Sequence, residues 1–156
     1  MTKKKRLVLI LDDLKEIHVL LENSLSKNGI EVQGVTNISE LKVKLAEGIK
    51  PDAIVIDAYL PMDGKERGGV NAAAIIRKDK QFVNVPILFY SNYTVYIKAN
   101  KDTVENWARV RSLLGGLDIK EENIVDKNFE INSKGEQIIN IETVDVLADK
   151  IIKAIK

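Results

Sequence analysis

Five polar residues could carry chemistry in this chain: Asp12, Asp13, Asp57, Ser91 and Lys127. Asp12 and Asp13 follow the apolar run Leu7 to Leu11, and Asp57 closes Ala53-Ile-Val-Ile. Ser91 closes Pro86-Ile-Leu-Phe-Tyr, and Lys127 closes Asn123-Ile-Val-Asp. Three carboxylates brought together repel one another and need a cation. Hard oxygen ligands, few in number and open to water, suit Mg²⁺, which keeps several of its own waters. Lys127 would add a fixed positive charge and Ser91 a hydroxyl donor. A carboxylate nucleophile, a metal to screen it and donors for incoming oxygens are what receiving a phosphoryl group requires. Taken singly, each residue has a plainer reading. Asp12 and Asp13 fit a helix N-cap and its first turn, Asp57 a turn and Lys127 a surface charge.

What would gather them is the order of elements along the chain. Leu7 to Leu11 is continuously apolar, as in a parallel strand buried on both faces. Leu14, Ile17, Leu20, Leu21 and Leu25 then recur at helical spacing, and Asn28-Gly29 stops that helix. Ile30 to Val35 reads as a second strand. Asn37 with Glu40 resembles a capping box that opens a helix carrying Leu41, Leu45 and Ile49, ended by Lys50-Pro51. Ala53 to Asp57 is a third strand, followed by a Gly/Pro-rich loop to Gly68 and a helix through Val70, Ala73, Ile76 and Arg77. Pro86 to Ser91 is a fourth strand, Thr103 to Leu114 a fourth helix and Asn123 to Lys127 a fifth strand. Val144 to Ile155 is a terminal helix. The alternation predicts an α/β fold, a doubly wound, five-stranded parallel sheet with helices on both faces. Its site should lie outside the carboxyl ends of the strands, where all five residues fall.

Composition narrows the classes. The chain has 156 residues, 45% of them hydrophobic, and no Pro/Gly/Ser-rich linker, so one domain over 1–156 is expected. Its 24 basic and 23 acidic residues nearly cancel, which argues against direct nucleic-acid binding. Lys3-Lys4-Lys5-Arg6 reads as a solvated lead-in to the first strand. The apolar run after it is too short for a signal peptide or a membrane span. Without cysteine there is no disulfide or thiolate chemistry, and a cytoplasmic location is expected.

In the acidic pair Asp12-Asp13, Ile54-Val-Ile-Asp57 with Leu60-Pro61, Pro86-Ile-Leu-Phe-Tyr-Ser91 and the lone Lys127, the sequence resembles the receiver domains of bacterial two-component response regulators. The resemblance spans essentially the whole chain and implies the flavodoxin-like receiver fold. It makes Asp57 the phosphoacceptor, served by a sensor histidine kinase or a phosphotransfer protein. Asp12, Asp13, Asp57 and the backbone carbonyl of Tyr59 would hold Mg²⁺, and Ser91 and Lys127 would bind the phosphoryl oxygens. Such a domain is a signalling switch rather than an enzyme. It acts on a downstream protein partner, without membrane contact, and admits a phosphorylation-dependent dimer.

Several positions depart from that pattern. The loop from Met62 to Gly68 is lengthened, Asn92 stands where a small residue is usual, and Ile124 replaces the aromatic switch residue. Asn128 replaces the usual proline, so a cis peptide is not assured there. The connection between the fourth and fifth strands is extended, across 93–122, and includes Tyr93, Tyr96 and Trp107. A further addition over 128–142 reads as a β-hairpin around Asn132-Ser-Lys-Gly135. By the resemblance, Tyr59 and Tyr93 flank the phosphoryl group and should slow its loss to water. The single histidine, His18, is read as a solvated position on the first helix. A dehalogenase-type phosphatase would need an acid where Tyr59 stands, and no glycine-rich phosphate loop follows the first strand. The remaining alternative is a phosphorylation-independent interaction scaffold of the same fold.

Overall fold

The computed structural model of the chain describes residues 5–57, 68–91 and 112–155. Strands β1 (Arg6–Leu11), β2 (Ile30–Val35), β3 (Ala53–Ile56), β4 (Ile87–Ser91) and β5 (Ile124–Asp126) form one sheet in the order β2-β1-β3-β4-β5. Every neighbouring pair is parallel. Helices α1 (Lys15–Ser26), α2 (Ile38–Ala46), α3 (Gly68–Lys78) and α5 (Ile141–Ala154) connect or follow the strands, and residues 112–116 are helical (α4). This is the doubly wound arrangement that the continuous apolar runs predict.

Alternation along the strands sorts the core into two layers. Leu9, Leu11, Ile54, Ile56, Ile87 and Phe89 pack with Leu41 of α2 and Ala73 and Ile76 of α3. Val8, Ile10, Val55, Leu88 and Tyr90 face the other way, with Ile17, Leu21 and Leu25 of α1 and Leu147 and Ile151 of α5. Each fully buried aliphatic side chain contributes roughly 1.5–3 kcal/mol, so both layers are needed to hold the strand ends in place.

Helix α2 ends one turn earlier than its apolar spacing predicts. Gly48 adopts φ +83°, a left-handed conformation that breaks the helix before Ile49, which packs against the core from outside it. The Asn37 side chain caps α2 by accepting from the Glu40 N–H, while Glu40 reaches back to the Thr36 N–H and hydroxyl. The hairpin is present as β6 (Glu130–Ile131) and β7 (Gln137–Ile138), antiparallel to each other. Asn132 ties its turn by accepting from the Lys134 and Glu136 N–H groups, with Gly135 at φ +78°. The expected loop 62–67, Asn92, Tyr93, Tyr96 and Trp107 lie outside the described residues, as does most of the expected helix from Thr103.

Candidate functional site

Among the described residues, Asp12, Asp57, Ser91 and Lys127 are the buried polar or charged ones, each at most 8% exposed. All four lie at the carboxyl edge of the sheet. Backbone pairing carries each chain segment one residue past its strand. The Asp12 N–H donates to Val35 O, the Asp57 N–H to Leu11 O and the Lys127 N–H to Ser91 O. The ladder that holds the sheet together therefore also fixes the spacing of the site.

The side chains meet directly. Lys127 Nζ donates to Asp12 Oδ2 at 2.7 Å and to Asp57 Oδ2 at 3.2 Å. Ser91 Oγ donates to the other Asp57 oxygen, Oδ1, at 2.8 Å. Asp12 Oδ1 accepts from the Leu14 N–H at 2.9 Å. Asp13 is exposed, and its carboxylate oxygen lies with one oxygen each of Asp12 and Asp57 within 4.8 Å. Sequence reasoning brought these five residues to one edge, and the structure places them in a single cluster. Tyr59, the expected carbonyl ligand, lies outside the described residues.

The electrostatics leave room for a divalent cation. Three carboxylates against one ammonium leave two negative formal charges. Burial pushes the Asp12 carboxyl up to about 7; Lys127 pulls against this and Asp57 adds to it. Burial works against the Lys127 ammonium too, but Asp57 and Asp12 outweigh it and hold the group above its usual range. Lys127 is thus a permanent cation, and it does not neutralise the site. The donors are hard oxygens with one exposed member, which fits Mg²⁺ or a similar ion that retains water.

Lys127 is held from below as well. Its Nζ lies 5.5 Å from the ring centroids of both Tyr90 and Phe129. The Tyr90 hydroxyl is 2.6 Å from Thr143 Oγ1, which is 3.0 Å from the Lys127 carbonyl. Tyr90 and Thr143 were not singled out by the sequence, because an aromatic in a buried strand is ordinarily core. After the lysine, Asn128 adopts φ +48°, and its N–H donates to the Asp126 side chain. No cis peptide occurs among the described residues.

His18 differs from its sequence reading. It is half-buried, and its Nε2 lies 2.8 Å from the Asp12 carbonyl oxygen, so Nε2 carries the donated proton. Burial lowers the ring's pKa, which keeps it neutral at ordinary pH. The signal was present in the spacing: position 18 falls within the apolar stripe of α1, beside Ile17 and Leu21.

No protein-family model and no curated protein matches this sequence. Solved structures do match. The chemotaxis response regulator CheY4 of Vibrio cholerae superposes with a TM-score of 0.64 at 20% identity, covering 95% of this chain and 99% of that one. The phosphorylated cyanobacterial phytochrome response regulator RcpA gives 0.65 at 18% identity, over 96% and 93%. The Mn²⁺-bound response regulator Rcp1 gives 0.61 at 17% identity, over 91% of each chain. The chain has the flavodoxin-like fold of response regulator receiver domains. Among the described residues, no helix is long and apolar enough to cross a membrane.

Proposed function

We propose that the chain is a phosphorelay receiver domain that accepts a phosphoryl group on Asp57. The observation that carries this reading is the buried quartet. A carboxylate with one oxygen on Ser91 and the other on Lys127 is a nucleophile already flanked by the donors its product needs. An Asp57 oxygen attacks phosphorus, forming an acyl phosphate, while the bond from phosphorus to the donor breaks. The donor would be a phosphohistidine on a sensor histidine kinase or a phosphotransfer protein. The Ser91 hydroxyl then exchanges Asp57 Oδ1 for a phosphoryl oxygen, and Lys127 pairs with another. Both keep a partner throughout, so no buried polar group is stranded.

Asp12, Asp13 and Asp57 would hold Mg²⁺, with the Tyr59 carbonyl as a further ligand. When bound, the ion screens the carboxylates and the incoming phosphate from one another. That Rcp1 has been seen in a Mn²⁺-bound form supports a divalent metal in this chain too. The outcome is a signalling event and not turnover of a substrate. Displacement of Ser91 and Lys127 biases the surface offered to a downstream protein.

Acetyl phosphate with Mg²⁺ tests the reading. Wild-type protein should give a retarded band on a phosphate-affinity gel, abolished in Asp57→Asn and by EDTA. No Asp57-dependent band would leave the phosphorylation-independent scaffold in its place. The resemblance implies that Tyr59 and Tyr93 would flank the phosphoryl group; on that reading its loss should take much longer than seconds, and a Tyr59→Asn, Tyr93→Glu variant should lose it faster.

A further inference from the structure

We infer that His18 is a positioning residue for the metal-binding carboxylates, and that Gly34 is glycine in order to admit its ring. The inference rests on the proposed metal site and extends it to two residues that touch no metal ligand side chain.

Asp12 is fixed at four points. Its N–H donates to Val35 O, Oδ1 accepts from the Leu14 N–H, and Oδ2 accepts from Lys127. The fourth is the carbonyl, which accepts from His18 Nε2 at 2.8 Å. This last bond spans the turn from β1 into α1, so it sets the direction in which the chain leaves Asp12. That direction decides where Asp13 presents its carboxylate, since Asp13 is the next residue and is exposed. The other three bonds hold Asp12 to the sheet, to Leu14 and to Lys127. Among the described residues, the histidine alone ties its carbonyl back to the body of α1.

Gly34 supplies an independent observation. On β2, Ile30 and Val32 pack into the layer formed with α1, and Gly34 continues the same alternating face. A third side chain there would collide with the histidine. A Cβ built on Gly34 would fall 2.6 Å from both Cγ and Cε1 of His18, and closer still to Nδ1. The ring therefore occupies the space that a β2 side chain would otherwise take. A solvated surface histidine would have no such slot.

The effect should appear in metal affinity, because groups that orient metal ligands without binding the ion typically alter affinity about 10-fold or more when removed. Isothermal titration with Mg²⁺ and the Mg²⁺ dependence of labelling by acetyl phosphate would be measured on the full chain. His18→Ala should weaken Mg²⁺ about 10-fold and raise the Mg²⁺ concentration for half-maximal labelling in step. The labelling rate at saturating Mg²⁺ should stay near wild type. His18→Gln, which retains an N–H donor, should recover part of the loss. Gly34→Ala keeps the histidine but displaces its ring, and should reproduce the loss even where His18→Ala folds poorly. Val19→Ala, on the exposed side of the same helix, should do nothing. Unchanged Mg²⁺ affinity in folded His18→Ala or Gly34→Ala, with only a lower melting temperature, would overturn the inference. Absence of Mg²⁺ binding by the wild type would overturn the metal site itself, and is seen before any variant is compared.

Discussion

The two edges of the sheet each hold a long cation in a nest of oxygens, and they differ in what those oxygens can do. At the carboxyl edge, Lys127 faces the carboxylates of Asp12 and Asp57. At the opposite edge, Arg77 at the end of α3 donates to the carbonyls of Leu117, Phe82, Val83 and Val85. It borders a cavity of about 520 Å³ lined by Asn84, Lys120, Glu122 and Lys150 among others. Carbonyls neither titrate nor take a phosphoryl group, so the guanidinium is a clasp for two connections, the one before β4 and the one before β5. Carboxylates can do both, so the ammonium is bonded to groups whose charge can change. One edge is fixed in charge, and the other is open to change.

The largest expected difference is in labelling. Lys127→Met should slow phosphoryl uptake from acetyl phosphate about 100-fold, since it removes a buried donor aimed at developing charge. Arg77→Met should label at the wild-type rate; comparable losses in both would erase the contrast. Stability should rank the other way at the far edge. Arg77→Met takes a donor from four carbonyls, of which Phe82 O keeps the Val85 N–H, and should cost roughly 1–3 kcal/mol in a urea melt. Thr143→Val removes the partner of the Tyr90 hydroxyl and should cost about 1 kcal/mol, with slower labelling only if Tyr90 helps to place Lys127. A last effect concerns pH. Burial raises the Tyr90 phenol from 10.0 to about 12, so the folded chain keeps a proton that the unfolded chain loses. Stability should therefore decline as pH rises from 10 towards 12, and Tyr90→Phe should flatten that part of the curve.

Strands buried on both faces write themselves as unbroken apolar runs, which is why β1, β3 and β4 were legible with the polar residue that ends each. Gathering Asp12, Asp57, Ser91 and Lys127 then needed only the rule that parallel strands share an edge. What was not legible depended on contacts between elements. His18 reads as solvated although it falls within the apolar stripe of α1; what α1 alone does not reveal is the empty position at Gly34 on β2. The early end of α2 turned on one dihedral angle at Gly48, whereas Ile49 kept the helical spacing going. Tyr90 and Thr143, 53 residues apart, meet only once the sheet and α5 are assembled.

Asn128 shows how such a sequence can travel far from its structural relatives. Its φ of +48° is open to asparagine but closed to proline, whose ring holds φ near −65°. A lysine followed by proline and a lysine followed by a left-handed asparagine are therefore exclusive endings for the fifth strand. In this chain the left-handed asparagine ending delivers the ammonium to Asp12 and Asp57. One dihedral angle is enough to exclude proline from the sequence at a position where the lysine before it still reaches its two carboxylates.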